Sequence, residues 1–186
     1  CPEVAVLTSI GLDHTAVLGP TVADIARTKS GIIKEGGDVV SYGHLPEADA
    51  EIEAACRRSH ARLWPVDFDL LTSRSVTLEG RTFDYGPLKE LKIPLLANYQ
   101  PKNAAVAVTA LSVLAHKGWH ITEQHIREGF AAVQWPGRFE VLGNHPVFLL
   151  DGSHNPQGIA ATADSLRELF PEQKFVFLLS IMADKD

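Results

Sequence analysis

The opening stretch of this chain alternates short apolar runs with longer segments of helical periodicity, and that alternation leaves few folds open. Residues 4–8 (VAVLT), 38–42 (DVVSY) and 62–66 (RLWPV) read as strands, and residues 21–34 and 46–60 between them read as helices. Strands joined by helices pair in parallel through right-handed crossovers, so the expected class is α/β with a mostly parallel sheet. From residue 70 to 85 the texture changes. Val76-Thr77-Leu78 and Thr82-Phe83-Asp84-Tyr85 flank Glu79-Gly80-Arg81, a hairpin signal that predicts an antiparallel edge to the sheet.

Residues 98–117 read as a helix opened by Pro101 and closed by Gly118. A second helix follows, with Thr122 as N-cap and Ile121 against Ile126 as a hydrophobic staple. Trp135-Pro136-Gly137 breaks the pattern, and a strand–helix–strand unit then starts at residues 147–150, 157–170 and 175–179. This restart predicts a domain boundary near residue 137, with residues 1–137 in one domain and 138–186 in a second that is short for an independent one.

In the first helical segment, Thr21 is the expected N-cap and Asp24 its partner in a capping box. Val22, Ile25, Ala26, Lys29 and Ile33 then recur on one face, which places Lys29 on the apolar stripe. A lysine buried there must snorkel, find an anion, lose its proton or be chemically modified.

A net charge of −6 and scattered basic residues give no nucleic-acid footprint. The two cysteines, Cys1 and Cys56, form neither a metal-binding spacing nor a disulfide framework, which fits a reducing compartment; the cytoplasm is expected. No apolar run approaches the roughly 18 residues of a membrane span. Because Cys1-Pro2 directly precedes one strand-like run and Asp184-Lys185-Asp186 directly follows another, the chain is expected to be a fragment.

Four segments carry residues suited to chemistry. Asp13-His14 closes the run Thr8-Ser9-Ile10-Gly11-Leu12, where the pair by itself reads as a loop carboxylate and a surface or core histidine. Imidazole is no preferred magnesium ligand, so spacing alone names no metal. Asn103, in Asn98-Tyr99-Gln100-Pro101-Lys102-Asn103, reads as first-turn capping, and Arg138 as a solvated charge or an ion pair whose planar fork also suits phosphate oxygens. Asp151-Gly152-Ser153-His154-Asn155-Pro156 follows a strand and precedes a helix, where open α/β sheets bind ligands, although its residues also favour Asx turns.

Together with Lys29 in Ala26-Arg27-Thr28-Lys29-Ser30-Gly31, these segments resemble, in order, the motifs of the Mur ligase superfamily and its folylpolyglutamate/dihydrofolate synthase branch. The resemblance implies the later part of a central ATP-binding domain over 1–137 and the start of a Rossmann-like C-terminal domain over 138–186. It implies that His14 binds magnesium, that Lys29 is carbamylated, and that Asn103, Arg138 and Asp151 contact ATP, with His154 near the transferring phosphate. The family more often has alanine at the position of Ser153. No Gly-x-x-x-x-Gly-Lys-Ser/Thr phosphate loop lies within these residues.

The implied reaction is an ATP- and Mg2+-dependent, ADP-forming ligation of L-glutamate to folate or dihydropteroate through an acyl phosphate. The implied partners are these small molecules, with no nucleic acid or membrane, and a monomer is expected. A peptidoglycan Mur ligase, a cyanophycin-type ligase and a non-catalytic nucleotide-binding module are the alternatives.

Overall fold

The computed structural model describes residues 2–13 and 15–180. It is an α/β chain in two compact units, one of residues 1–69 and 102–126, the other of residues 70–101 and 127–186.

In the first unit, β1 (Ala5–Leu7), β2 (Asp38–Ser41) and β3 (Arg62–Pro65) form a parallel sheet in the order β1-β2-β3. The short α1 (Thr15–Leu18) and α2 (Val22–Lys29) lie between the first two strands, and α3 (Pro46–Arg58) joins the second to the third. Thr21 is the N-cap of α2: its hydroxyl accepts the Asp24 N–H at 3.1 Å and donates to the Asp24 carboxylate at 2.6 Å. The Thr21 contact comes first among the causes that hold the Asp24 carboxyl below its usual range. Ile25 and Ala26 of α2 pack with Ile52 and Cys56 of α3 over Leu7 and Val39, forming one buried core. At the amino end of β2, Asp38 accepts from the Trp64 indole at 2.8 Å and from Lys117 at 3.3 Å.

The second unit holds β4 (Leu71–Thr77), β5 (Gly80–Tyr85) and β6 (Leu88–Ile93), paired antiparallel in that order. The hairpin read from the sequence is present, but these strands form a sheet of their own instead of edging the parallel one. Gly80 is required at its turn. Its φ is +148°, and a Cβ there would lie 2.3 Å from the Ile93 carbonyl oxygen. The inward Asp84 is held by Arg74, by the Glu90 N–H at 2.9 Å and by Lys89 at 3.7 Å. With Arg74 the leading cause, these contacts lower its carboxyl to about 2.

A folded-state value below the unfolded one stabilises the fold above the unfolded value, and that contribution disappears as pH falls through about 2. The stability advantage of the wild type over Asp84→Asn is therefore expected to be full above pH ~4 and to shrink steadily toward pH ~2. Urea midpoints measured across that range check it, and a gap that does not change with pH would contradict it.

The long helix α4 (Gln100–His116) begins two residues later than the sequence suggests, because the Asn98 N–H donates to the Ser165 hydroxyl at 2.9 Å and a turn brings the Gln100 N–H to the Ala97 carbonyl. Thr122 caps α5 (Glu123–Ala131) as expected, accepting the His125 N–H at 3.2 Å. β7 (Glu140–Asn144), which carries no clear strand signal, pairs antiparallel with β8 (Val147–Leu150), and α6 (Pro156–Leu169) follows. Leu166 and Phe170 close a core with Leu96, Ala97 and Phe139. The strand expected at residues 175–179 is not formed: the run is without ladder pairing, and Val176 and Leu178 are almost fully exposed. A continuous apolar run nominates a strand, but a ladder needs a neighbour, and none pairs with this segment among the described residues.

Candidate functional site

The second unit assembles three of the residues singled out from the sequence. β8 ends at Leu150, and the chain turns through Asp151, Gly152, Ser153 and His154 to Asn155, whose side chain caps α6 by accepting the Gly158 N–H at 2.8 Å. The Asp151 carboxylate is the hub of this turn. One oxygen accepts the Ser153 N–H at 3.0 Å and the Thr162 hydroxyl at 2.8 Å, and the other accepts the Phe139 N–H at 2.8 Å.

The segment carrying Arg138 is drawn onto this turn by backbone. The Gly152 N–H donates to the Gly137 carbonyl at 2.8 Å, and the Gly137 N–H donates to the Glu140 carboxylate at 2.7 Å. Position 152 has little room for a side chain, since a Cβ would lie 3.2 Å from the Gly137 oxygen and 3.5 Å from an Arg138 guanidinium nitrogen. Phe139, beside Arg138, is 1% exposed and locks the segment into the core while Arg138 itself stays exposed.

Tyr99 completes the cluster, packed against the same core. Burial pushes its phenol above the usual range; nearby Asp151 adds to that shift and nearby Arg138 opposes it. His154 is exposed, with Nδ1 3.0 Å from the Gly152 oxygen; a carbonyl only accepts, so this contact places the hydrogen on Nδ1. The cluster thus offers a guanidinium fork at the surface, on a backbone frame held by a carboxylate. Such a fork suits phosphate or carboxylate oxygens.

The other candidates lie in the first unit. Lys29 ends α2 and is exposed, which corrects the expectation that it is buried. The helix stops there: Ser30–Ile32 tighten into a 3-10 turn, and Ser30 takes the buried place with its hydroxyl on the Ala26 carbonyl at 2.8 Å. Asn103 is exposed in the first turn of α4. His14 lies outside the described residues. Among the described residues no group of three or more His, Cys, Asp or Glu side chains is placed to hold a metal ion, so they do not by themselves fit magnesium.

Sequence reasoning missed Tyr99 and Thr162, although Tyr99 sits inside the Asn98–Asn103 motif. It also missed a small pocket at the carboxyl ends of β1 and β2, lined by Thr8, Ser9, Tyr42, His44 and Asp49. That end of an open α/β sheet is where ligands bind. Burial raises the Tyr42 phenol, whose ring lies 4.7 Å from that of Phe68.

Residues 137–186 match the family model described as the Mur ligase, glutamate ligase domain. All of the chain aligns with a folylpolyglutamate synthase of Lacticaseibacillus casei, 37% identical over 191 residues and covering 44% of that protein. The chain belongs to the Mur ligase family. A dihydrofolate synthase/folylpolyglutamate synthase of Bacillus subtilis is 31% identical over 190 residues, covering 99% of the chain and 44% of the relative. This Mur ligase chain therefore spans less than half the length of the relatives it matches.

Among solved structures, an FPGS–AMPPCP–folate complex superposes with a TM-score of 0.83 at 34% identity, over 92% of this chain and 43% of that one. The Mycobacterium tuberculosis folylpolyglutamate synthase complexed with ADP gives 0.80 at 31% identity, over 90% and 39%.

Proposed function

We propose that the protein is an ATP-dependent, ADP-forming carboxylate–amine ligase that adds L-glutamate to folate, to dihydropteroate or to both. The alignment of the whole chain with a folylpolyglutamate synthase at 37% identity carries this reading. In the reaction, a carboxylate oxygen of the pteroate or folate attacks the γ-phosphorus of ATP, and ADP leaves. The glutamate amine then attacks the acyl carbon and loses a proton, phosphate leaves, and an amide remains. The enzyme's task is to hold the groups in line and to spread the phosphoryl charge.

Arg138 supplies a fork for phosphate oxygens, Asn103 an amide suited to an adenine edge, and Asp151 the frame that holds the Arg138 segment. His154, on the same turn as Asp151, is the group proposed nearest the transferring phosphate. Magnesium would supply Lewis-acid charge neutralisation, but no step is assigned to it, since the described residues hold no cluster that fits it. Carbamylation of Lys29 and magnesium binding by His14 rest on the family resemblance. The start of the family match at residue 137 supports a domain boundary there. No helix among the described residues is long and apolar enough to cross a membrane, and a cytoplasmic monomer is proposed.

The test is ADP release with ATP, magnesium, glutamate and tetrahydrofolate or dihydropteroate, using the product of the whole reading frame that contains these residues. Release dependent on the pterin substrate is expected, and it should be lost in Lys29→Ala. Release that instead requires a muramyl peptide would replace the folate reading. Residues 1–186 alone are expected to give no turnover, because they contain no phosphate-loop sequence; folate-dependent turnover from them would contradict that expectation.

A further inference from the structure

We propose that Thr162 is a positioning residue for nucleotide binding: its one hydroxyl, on the second turn of α6, sets Asp151 and Ser153 together and so fixes the backbone that presents Arg138. What the loop binds rests on the ligase reading above; what Thr162 does rests on geometry. Thr162 is half-buried, seven residues after the Asn155 cap, and faces back over the turn that precedes its own helix. Its oxygen lies 2.8 Å from Asp151 Oδ1 and 3.0 Å from the Ser153 hydroxyl.

A threonine hydroxyl has a single hydrogen, and a carboxylate oxygen only accepts. The hydrogen therefore goes to Asp151, and Ser153 must be the donor in its contact with Thr162. The result is a directed chain from Ser153 to Thr162 to Asp151. With the Ser153 and Phe139 N–H groups also on Asp151, three of about four acceptor positions of the carboxylate are filled from inside the protein. Asp151 is thereby committed mainly to framing: it ties residue 139 to residue 153 across the turn, and Arg138 projects from the strapped segment. A hydrogen bond from Thr162 holds the carboxylate in the one rotation that serves both backbone donors.

Thr162→Val keeps the shape and removes the hydroxyl, whereas Thr162→Ser keeps the hydroxyl. In the chain itself, amide hydrogen exchange of Phe139 and Ser153, the two N–H groups held by Asp151, is expected to accelerate about tenfold in Thr162→Val and to return to the wild-type rate in Thr162→Ser. In the product of the whole reading frame, Thr162→Val is expected to raise the KM for ATP several-fold while the KM for the folate substrate stays put, and Thr162→Ser is expected to restore it.

Unchanged exchange at both amides in Thr162→Val overturns the proposal. So does faster exchange with an unchanged KM for ATP, or a parallel rise in both KM values that serine does not rescue. A wild-type protein with no ATP-dependent ligation would overturn the ligase reading and the nucleotide half of the proposal, while the exchange rates would still decide whether Thr162 frames the turn.

Discussion

Arg138→Ala is expected to weaken binding of a nucleotide such as AMPPCP by roughly tenfold to over a hundredfold, the loss typical of a charge-assisted hydrogen bond to phosphate. The expectation follows from how the side chain is held. Phe139 anchors the segment in the core, Gly152 lets the neighbouring turn approach to 2.8 Å, and the guanidinium is left exposed. A residue that is exposed while its backbone is fixed from both sides adds little to stability and is well placed to meet a ligand. The urea midpoint should accordingly be nearly unchanged in Arg138→Ala.

Asp151→Ala should behave differently, since it removes the acceptor of the Phe139 and Ser153 N–H groups and of the Thr162 hydroxyl. It should lower stability and affinity together. Arg138→Lys keeps the charge but loses the planar fork and should fall between alanine and wild type. Calorimetric titration of the three variants decides the matter. Wild-type affinity in a folded Arg138→Ala would show that this guanidinium is not a phosphate contact.

What could be read from the sequence was local. Thr21 and Asp24 lie three residues apart, and their reciprocal capping follows from one turn of helix, so the pattern and the structure agree. The parallel pairing of β1, β2 and β3 similarly follows from the alternation of strands and helices, whereas their order is seen only in the fold. Lys29 shows where periodicity stops being informative. The spacing continues through Ile33, but the helix does not, and the change to a tighter turn at Ser30 moves the buried position one residue along. Residues 175–179 failed for a different reason: a strand is defined by its partner, and an apolar run cannot supply one.

The candidate loop was recognisable as Asp151-Gly152-Ser153-His154-Asn155-Pro156, yet the roles within it were not. Phe139 and Thr162 reach Asp151 from 12 residues before and 11 after, and only the folded turn brings the three together. A threonine two turns beyond an asparagine cap carries no motif. It becomes meaningful once its oxygen is seen between a carboxylate and a serine.

Removing the carboxylate of Glu168 is expected to destabilise the second unit more than removing the guanidinium it pairs with. Arg81, on β5, is 3% exposed and carries its charge into the core, where its Nε donates to the Leu96 carbonyl and its two terminal nitrogens grip Glu168 of α6, one of them at 3.0 Å. Glu168 is itself 39% exposed. The two ends of the pair therefore have unequal alternatives. Arg81→Met keeps the stem's packing and releases a carboxylate that can rehydrate, so its cost comes mostly from the Leu96 carbonyl left without a donor, about 1 to 2 kcal/mol. Glu168→Ala strands a buried guanidinium that cannot reach water without opening the core, and breaking a buried pair in that way costs about 3 kcal/mol or more. In Arg81→Met with Glu168→Ala no charge is stranded, so the double variant should be clearly more stable than the sum of the single losses predicts. Urea unfolding of the three variants measures this directly. Equal losses in the single variants, adding in the double, would mean that Arg81 reaches solvent and that the pair does not hold β5 to α6.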